Sequence, residues 1–396
     1  MTRIHERQPQ PTLADHRLRS CGPGAARITS LVRAPAWRGI ARRVRGRARR
    51  LARRFVSIDQ LPGERISVGA TPGAVPTAEA ADMAFDPPAT SLQGTSYTPP
   101  VPSVAALRSV LFHPGYHIVL TRGRRIVVES SIQGTAMGEL PVRAILGPVG
   151  GRTEGTTSVF RSRWNNHYHT LVDNLPRLHL LHHDPAAQEP EIQVLIGDAL
   201  TEVERHLVPR ILPANARVVS LPPERPWLTD KLLLPGFLSR RFAGYLPPDY
   251  LEWFLERVAP PRPSRRDGRI LISRTRTSHD GGRFIENEDE VFDALQPLGF
   301  RRYTLDAVPV AEQIALFHDA EVVVGAHGAG LANSIFSRGA SVVELFPASF
   351  VTPHYYFLSK ACGHAYRHLC GTAADRNANF TVSVPALLRT LGEAGV

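Results

Sequence analysis

Residues 320–347 read AEVVVGAHGAGLANSIFSRGASVVELFP. The apolar run 322–324 predicts a buried strand, and the small residues 325–330 predict a tight turn at its carboxyl end. Apolar positions over 331–336 then indicate a helix, and residues 342–346 predict a second strand. Strand, turn and helix in this order form half of a βαβ unit, so this part of the chain predicts an α/β fold.

The glycine-rich turn has the properties of an anion site. Glycine lets the backbone approach a ligand closely, and the first N–H groups of a helix, together with the helix dipole, favour a phosphate. The candidates for this contact are His327, Gly328, Ala329 and Gly330. The turn matches neither the P-loop nor the dinucleotide fingerprint, and the G-x-S-x-G motif that a lipase would need is absent from the sequence. The alternative is a turn whose glycines serve only the tight packing of helix against strand.

The composition is that of a globular protein. The chain has 396 residues, enough for two domains and a tail, with 43% hydrophobic and 21% charged residues. Its three cysteines, Cys21, Cys362 and Cys370, follow no pattern, which favours a reducing compartment over a disulfide framework. The sequence contains no apolar run of about 18 residues and no apolar segment within residues 1–30. We therefore expect a cytoplasmic protein without a membrane span or a secretory signal.

Positive charge is concentrated near the amino terminus. The net charge is +11, and nine arginines lie between Arg38 and Arg54. Apolar residues near helical spacing within 37–55 make a basic amphipathic helix on an anionic membrane one interpretation. A disordered, solvated arm is a second, and a nucleic-acid tail a third, although no aromatic interleaving or binding motif supports the third. We expect no nucleic-acid partner, and a peripheral membrane contact through residues 37–55 stays open.

Alternating strand and helix patterns organise the rest of the chain. We expect an arginine-rich arm and a Pro/Gly-rich linker over residues 1–103, a first α/β domain over 104–260 and a second over 261–396. Predicted strands cover 125–132, 156–160, 192–196, 217–221, 231–234, 269–274, 299–305, 322–324, 342–346 and 364–369. Predicted helices cover 201–212, 250–258, 287–295, 310–318, 331–336 and 354–362, and a loop is predicted over 147–155. Each domain would hold a mostly parallel sheet.

A second informative stretch, residues 164–177, reads WNNHYHTLVDNLPR. Asn165 or Asn166 would cap a helix at this point. His169 and Asp173 would then lie four residues apart on one helix face. A carboxylate beside an imidazole fixes its tautomer and raises its basicity, which is the usual construction of a general base.

The same stretch permits other interpretations. Pro176 would kink or end the helix, because proline lacks the N–H group that a helix needs. The His–Asp pair could be an exposed surface pair, which is common on helices. A metal site is a further alternative because His179, His182 and His183 follow, but their spacing matches no tight ligand motif, and we expect no metal.

Right-handed crossovers would bring the carboxyl ends of the second domain's strands to one rim. Arg274, His327 and Glu344 would lie there, with Arg283 close by. The planar fork of arginine matches phosphate oxygens, so these residues and the glycine-rich turn have the parts of a diphosphate site. Glu344 would accept hydrogen bonds from ribose hydroxyls or, alternatively, form a salt bridge with Arg338 or another arginine at the rim.

Three segments together resemble glycosyltransferase family 61. They are NNHYHTLVDNLP at 165–176, ISR…RFIENEDE at 272–290, and GAHGAGLAN…F…RGASVVELFP at 325–347. The resemblance covers about Ser158 to Pro347. It implies a GT-B-like architecture, in which two Rossmann-like domains face each other across a cleft and the second holds most of a nucleotide sugar. It also implies inverting transfer without a metal, usually from a UDP-sugar, and the sequence has no D-x-D metal anchor.

The resemblance also implies roles for individual residues. The family's H-x-x-x-D motif falls on His169 and Asp173, the candidate catalytic pair. Its donor-binding motifs fall on Arg274, Arg283, Asn287, Glu288, His327, Gly328, Ala329, Gly330 and Glu344. The sequence differs from the family pattern conservatively at 284–286, and more clearly in its basic amino-terminal arm, where eukaryotic members carry a signal or anchor.

We therefore expect a glycosyltransferase that moves a sugar from a nucleotide-sugar donor to a hydroxyl of a glycan or lipid-linked glycan, with no cofactor. His169 would take the acceptor proton, since imidazoles titrate nearer to neutral pH than carboxylates, although exchanged roles with Asp173 or no base at all are alternatives. A non-catalytic nucleotide-sugar-binding or scaffold protein and a nucleic-acid-binding protein are the alternative functions. Lysine occurs only at 231 and 360, which favours a GC-rich bacterial genome. Capsule or exopolysaccharide synthesis, in the cytoplasm or on the inner face of the plasma membrane, fits that origin.

Overall fold

The computed structural model describes residues 55–69, 74–76, 96–134, 140–240, 244–261, 266–274, 282–348, 351–372 and 378–396. The arginine-rich arm up to residue 54 lies outside the described residues, and so does the part of the predicted linker from 77 to 95. Within the described ranges the chain is an α/β protein with two larger sheets.

The first sheet is mixed rather than mostly parallel. The strands of this half are β1 Phe55–Val56, β2 Gly63–Ser67, β3 Val75–Pro76, β4 Ser96–Tyr97, β5 Ser103–His113, β6 Ile118–Leu120, β7 Ile126–Val127, β8 Gly151–Ser158, β9 Ile192–Ile196, β10 Ala216–Ser220 and β11 Trp227–Pro235. Among the described residues the sheet order is β1-β7-β6-β5-β11-β8-β9-β10, with β2 paired to β5, while β3 and β4 form a separate ribbon. The run β11-β8-β9-β10 is parallel, as predicted, but β5 runs antiparallel to β11 and to β6.

Part of the predicted linker belongs to this sheet. Gly63–Ser67 pairs antiparallel with β5, with Ile66 opposite Val104. Four of the five residues of β2 are exposed, so no alternation of apolar and polar residues marks the strand in the sequence. The region predicted as a Pro/Gly-rich linker therefore contains a strand that pairs with the first sheet.

Two further boundaries in the first half differ from the prediction. The strand expected over 125–132 is limited to Ile126–Val127, because a 3₁₀ turn follows at once over Val128–Ser130. The loop expected over 147–155 contains the first half of β8. Glycine at its start is required by packing: a Cβ at Gly151 would lie 2.4 Å from the ring of Trp227 on the neighbouring strand.

The second sheet confirms the predicted parallel succession. Its strands are β12 Gly268–Ser273, β13 Phe300–Thr304, β14 Ala320–Ala326, β15 Ser341–Phe346 and β16 Ala365–Cys370. Their order is β13-β12-β14-β15-β16, and every neighbouring pair is parallel. The central strands are buried apolar runs, as expected for a parallel sheet covered on both faces.

The α-helices are α1 Val142–Leu146, α2 His167–His169, α3 Pro176–His179, α4 Glu202–Ile211, α5 Pro248–Val258, α6 Glu288–Leu295, α7 Val310–His318, α8 His354–Cys362 and α9 Val384–Glu393. A π-helical turn, Thr170–Asn174, lies between α2 and α3. The 3₁₀ helices are Ile58–Gln60, Pro114–Tyr116, Val128–Ser130, Leu180–His182, Ala186–Gln188, Gln296–Leu298, Leu305–Ala307 and Ala329–Phe336. The apolar helix predicted after the glycine-rich turn is the last of these. No helix of the described residues is long and apolar enough to cross a bilayer.

The two sheets share one apolar core, which positions the two informative stretches against each other. Leu171 of the π turn and Leu331 of the 329–336 helix belong to the same buried cluster. A polar chain adds to this packing: His167 Nε2 of α2 lies 2.9 Å from Asn333 Oδ1 of the 329–336 helix, and Asn333 donates to Gln313 Oε1 of α7 at 3.0 Å. The two informative stretches, 164–177 and 320–347, are thus joined by one direct side-chain hydrogen bond as well as by apolar packing. The domain boundary at 260/261 stays a prediction.

Candidate functional site

The helical segment that carries the His–Asp pair changes its backbone hydrogen-bond pattern along its length. Asn166 caps it, as predicted, by accepting a hydrogen bond from the backbone N–H of His169 at 3.0 Å. The chain then makes a π turn in which the N–H of Leu175 donates to Thr170 O at 3.0 Å. Pro176 follows as the first residue of α3, a position where its missing N–H costs nothing. A separate helix thus begins at Pro176, which agrees with the prediction that this proline would kink or end the first helix. Single π turns of this kind are frequent at functional sites.

This helical segment brings His169 and Asp173, the predicted catalytic pair, into contact. His169 Nδ1 lies 2.5 Å from Asp173 Oδ2, and Ser239 donates to Asp173 Oδ1 at 2.8 Å. The side chain of Asp173 is only 4% exposed, whereas that of His169 is 19% exposed. The pair is therefore not the solvated surface pair of the alternative interpretation. Because Nδ1 is held by the carboxylate, Nε2 is the ring nitrogen that can reach a ligand.

Two neighbours of the pair fix its surroundings. Asn174 donates to the backbone oxygen of Trp164 at 2.9 Å and accepts from the N–H of Ser162 at 3.0 Å, which ties the preceding loop to the helix. Arg177 is fully buried, and it donates twice to Pro235 O, at 2.8 and 3.0 Å, and once to Phe160 O at 3.1 Å. Burial lowers the pKa of Arg177 to about 9. The guanidinium thus binds the helix to the carboxyl end of β11 and to the segment after β8.

The glycine-rich turn and Arg274 form the second half of the site. Arg274 follows β12 and donates from Nη1 to His327 O at 3.1 Å. A Cβ at Gly328 would lie 1.9 Å from the same nitrogen, so glycine is needed here for the arginine to lie against the backbone. Gly328 O also accepts from the hydroxyl of Tyr355 at 2.6 Å. Glycine at position 330 serves packing instead, because a Cβ there would lie 3.1 Å from Leu305. This is the packing role that the alternative interpretation gave to the glycines.

His327 is part of a second histidine–carboxylate pair. Its Nδ1 lies 2.5 Å from Glu344 Oε1, and the hydroxyl of Tyr366 donates to Glu344 Oε2 at 2.5 Å. Burial, followed by the charge of Arg283, lowers the pKa of His327 well below the usual histidine value. Burial likewise raises the pKa of Glu344 well above the usual carboxyl value.

Glu344 does not lie at the exposed rim where the sequence placed it. Its side chain has no exposure, and it sits within β15 opposite Gly325 of β14. Both predicted partners, a ribose and a rim arginine, require an accessible carboxylate. The carboxyl group instead lies behind His327 and orients its ring. The sequence could not give this position, because Tyr366 is on the next strand and only the sheet register brings it near.

The remaining donor-site candidates are Asn287, Glu288 and Arg283. Asn287 accepts from Val382 N and donates to Val382 O, both at 2.9 Å, and so joins the start of α6 to the carboxyl-terminal segment. Glu288 accepts from Ser273 Oγ at 2.6 Å, next to Arg274, and burial raises its pKa. Arg283 has φ = 64°, in the left-handed region. Residues 275–281 of the loop before it lie outside the described residues.

A run of aromatic rings connects the two histidine pairs. The ring centroids of His169 and Tyr168 are 5.3 Å apart, those of Tyr168 and Tyr355 are 5.7 Å apart, and those of Tyr355 and His327 are 5.6 Å apart. His354 lies 5.3 Å from Tyr168 and 6.1 Å from His327. Sequence reasoning placed a helix at 354–362 but missed this contribution to the site. The only signal was the aromatic start of that helix, PHYYF at 353–357.

The described residues contain no group of three or more His, Cys, Asp or Glu side chains arranged to hold a metal ion. The histidines raised as an alternative metal site pack against rings instead. His179 and His182 lie 4.5 and 5.1 Å from Trp253, centroid to centroid, and His179 lies 4.9 Å from His183. Burial lowers the pKa of His179 to about 4.

These features define an α/β protein in which a run of aromatic rings links a candidate imidazole base to a glycine-rich turn that Arg274 contacts. Comparison with known proteins agrees with this class. The family model described as Glycosyltransferase 61 matches residues 167–343. A Beta-1,2-xylosyltransferase of Arabidopsis thaliana is 29% identical over 122 residues, an alignment that covers 27% of this chain and 23% of that protein. The chain thus spans about a quarter of the length of this relative. The resemblance to glycosyltransferase family 61 is confirmed over residues 167–343.

Proposed function

We propose that the protein is an inverting glycosyltransferase that moves a sugar from a nucleotide-sugar donor, a UDP-sugar by family resemblance, to a hydroxyl acceptor without a metal. The observation that supports the proposal is the run of rings between His169 and His327, since it links the candidate proton acceptor to the candidate anion-binding turn. The named relative is a xylosyltransferase, and a pentose or a hexose is therefore the proposed cargo.

On the acceptor side, His169 takes the proton. The acceptor oxygen forms a bond to the anomeric carbon, its proton passes to Nε2 of His169, and the bond from that carbon to the diphosphate oxygen breaks. Asp173 supports this role, because its buried carboxylate holds Nδ1 at 2.5 Å and is itself held by Ser239. A positioned general base contributes about 10²–10⁴-fold to a rate.

On the donor side, the departing diphosphate gains negative charge and needs fixed positive charge. Arg274 and Arg283 supply it, together with the backbone N–H groups at the start of the 329–336 helix. Both arginines act on His327 electrostatically, which supports their position at one site. In this proposal the two sheets are the two Rossmann-like halves of a GT-B arrangement, with the donor held mainly by the second.

The setting is proposed from composition and family. A glycan or lipid-linked glycan serves as acceptor in capsule or exopolysaccharide synthesis, and the basic residues 37–55 hold the enzyme peripherally on the inner face of the plasma membrane. The arginine-rich composition supports this setting.

A thermal-shift titration with UDP, GDP, CMP and ADP in excess EDTA tests the donor site. We expect one nucleotide to raise the melting temperature of the wild type, because a ligand at a hundred times its Kd adds about 2.7 kcal/mol of stability. The shift should disappear in Arg274→Ala. Arg301→Ala, which removes an exposed arginine from β13 of the same sheet, is the matched control and should respond like the wild type.

Three outcomes separate the candidate functions. A shift that survives EDTA, followed by sugar transfer, supports the proposal. A shift without transfer, unchanged in His169→Ala, favours a nucleotide-sugar-binding or scaffold protein. No shift with any nucleotide contradicts the proposed donor site.

A further inference from the structure

An exposed tryptophan lies beside the candidate base. Trp164 is 40% exposed, and its ring centroid is 5.7 Å from that of His169. A single exposed apolar side chain needs no explanation by itself. Trp164 is informative for two reasons. Buried residues hold its loop in place, and its ring lies beside the candidate base.

The loop is held by the same helix that carries the His–Asp pair. Trp164 O accepts from Asn174 Nδ2 at 2.9 Å and from Ser162 Oγ at 3.2 Å, and both of these polar residues are buried. Thr170 of the π turn adds a hydrogen bond to Asn165 O at 3.2 Å. An indole on a loop fixed in this way is preorganised for a ligand, which reduces the entropy lost on binding.

The position of Trp164 assigns it to the acceptor. The imidazole of His169 has both Trp164 and Tyr168 as ring neighbours, and Tyr168 leads through Tyr355 to His327. In an inverting reaction the acceptor hydroxyl approaches the anomeric carbon opposite the leaving diphosphate and gives its proton to the base. The acceptor must therefore lie within reach of His169, and Trp164 is an exposed ring directly beside that imidazole.

We propose that Trp164 is the stacking platform for the acceptor, and that the acceptor is a pyranose sugar with a hydroxyl directed to His169. The inference rests on the proposed function with its glycan acceptor, and it adds the residue on which the accepting sugar ring packs. One face of a pyranose presents only C–H groups, which pack on an indole, while its hydroxyls point outward from the ring edge to polar partners. A peptide or lipid hydroxyl has no such face.

Binding of simple pyranosides to the full chain tests the platform. The probes are methyl α-mannopyranoside, methyl β-galactopyranoside and methyl β-xylopyranoside, titrated by NMR in the presence of each of UDP, GDP, CMP and ADP. We expect Trp164→Ala to weaken binding of at least one pyranoside about tenfold, while Trp164→Phe keeps most of the affinity. Leu146→Ala, which truncates an exposed apolar side chain on α1, is the control and should bind like the wild type. Nucleotide affinity should be the same in all four proteins.

The same data separate this inference from the proposed function. Equal pyranoside affinity in the wild type and Trp164→Ala, or no pyranoside binding by the wild type with any nucleotide, overturns the platform. Pyranoside binding that depends on Trp164 in a protein that binds no nucleotide keeps the sugar site and overturns the donor site. Where transfer to a pyranoside is measurable, Trp164→Ala should raise the acceptor KM and leave kcat and the donor KM unchanged.

Discussion

Two histidine–carboxylate pairs of nearly identical geometry lie in this protein, and their surroundings differ. His169 Nδ1 and His327 Nδ1 are each 2.5 Å from a carboxyl oxygen, of Asp173 and Glu344 respectively. The first pair lies in a helical π turn beside an exposed indole, and its imidazole is 19% exposed. The second lies between two strands of a parallel sheet, and its carboxyl group has no exposure at all.

The comparison teaches that the same hydrogen bond serves different chemistry in different surroundings. An imidazole that reaches solvent and a ligand can exchange protons, so its carboxylate acts as an orienting partner for a base. Burial and nearby cations lower the pKa of His327 well below the usual histidine value, which keeps its ring neutral. In the proposed donor site, a neutral, fixed imidazole beside Arg274 would serve as a hydrogen-bonding group rather than as a proton carrier.

The largest expected effect follows from removing the base. We expect His169→Ala to lower kcat of the proposed transfer by about 10²–10⁴-fold, the usual contribution of a general base, and to leave nucleotide affinity unchanged. Asp173→Asn should act in the same direction, because the imidazole loses its orienting charge. Steady-state kinetics and nucleotide titration on the same preparations measure both quantities.

The control for this experiment is His183→Ala, which removes an exposed histidine shortly after the same helix and should have wild-type kinetics. Added imidazole should restore part of the activity of His169→Ala. Wild-type kcat in His169→Ala would show that the pair is structural. An equal loss of nucleotide binding would remove the functional distinction between the two pairs.

The His169–Asp173 pair could be predicted from the sequence, whereas the buried surroundings of Glu344 could not. The His169–Asp173 pair can be predicted from neighbouring residues. Asn166 marks the start of the helix as its N-cap, and a spacing of four residues places both side chains on one helix face. The Glu344 environment depends on contacts between β15 and β16, and the spacing of residues along one strand contains no information about a neighbour.

The same argument applies to the fold. Buried runs such as 322–324 predict their strands because burial on both faces requires apolar residues throughout. The exposed strand β2 carries no such pattern, since its backbone pairing with β5 does not constrain the side chains that face solvent. The π turn was also outside prediction, because it depends on one backbone hydrogen bond from Leu175 to Thr170.

Buried histidines outside the two pairs give a second, pH-dependent test. Burial lowers the pKa values of His113, His117, His179 and His364 to about 4. Between pH 6.5 and 4 the unfolded chain therefore binds protons that the folded chain does not, so stability is complete above pH 6.5 and falls as the pH is lowered. At pH 5 each such histidine reduces the free energy of unfolding by about 2 kcal/mol.

Urea unfolding of the full chain at pH 7.5 and pH 5 measures this loss. His113→Phe keeps a ring beside Tyr116 and removes one titrating group, so its stability should differ less between the two pH values than that of the wild type. Equal pH dependence of the variant and the wild type would show that His113 has the same pKa in the folded and the unfolded protein.

The third effect isolates the anion site. We expect Gly328→Ala to weaken nucleotide binding about tenfold, since its Cβ would overlap Arg274 Nη1 and displace a charge-assisted contact. The backbone at Gly328 is extended, with φ = 173°, so alanine adds no strain there and the fold should be retained. Gly392→Ala is the matched control, because a Cβ at Gly392 meets nothing within 4 Å. Wild-type nucleotide affinity in Gly328→Ala would contradict the proposed role of Arg274 in donor binding.

The smallest effect concerns the carboxyl group behind His327. Burial raises the pKa of Glu344 well above the usual value, so its carboxyl group already resembles a neutral hydrogen-bonding group. Glu344→Gln keeps the volume and a hydrogen bond to His327, and we expect nucleotide affinity to change by about threefold at most, with kcat unchanged. Nucleotide titration and steady-state kinetics, run beside Asp173→Asn, give the comparison directly. A large loss of kcat in Glu344→Gln would assign proton transfer to the buried pair as well, and the difference between the two pairs would then lie in exposure alone.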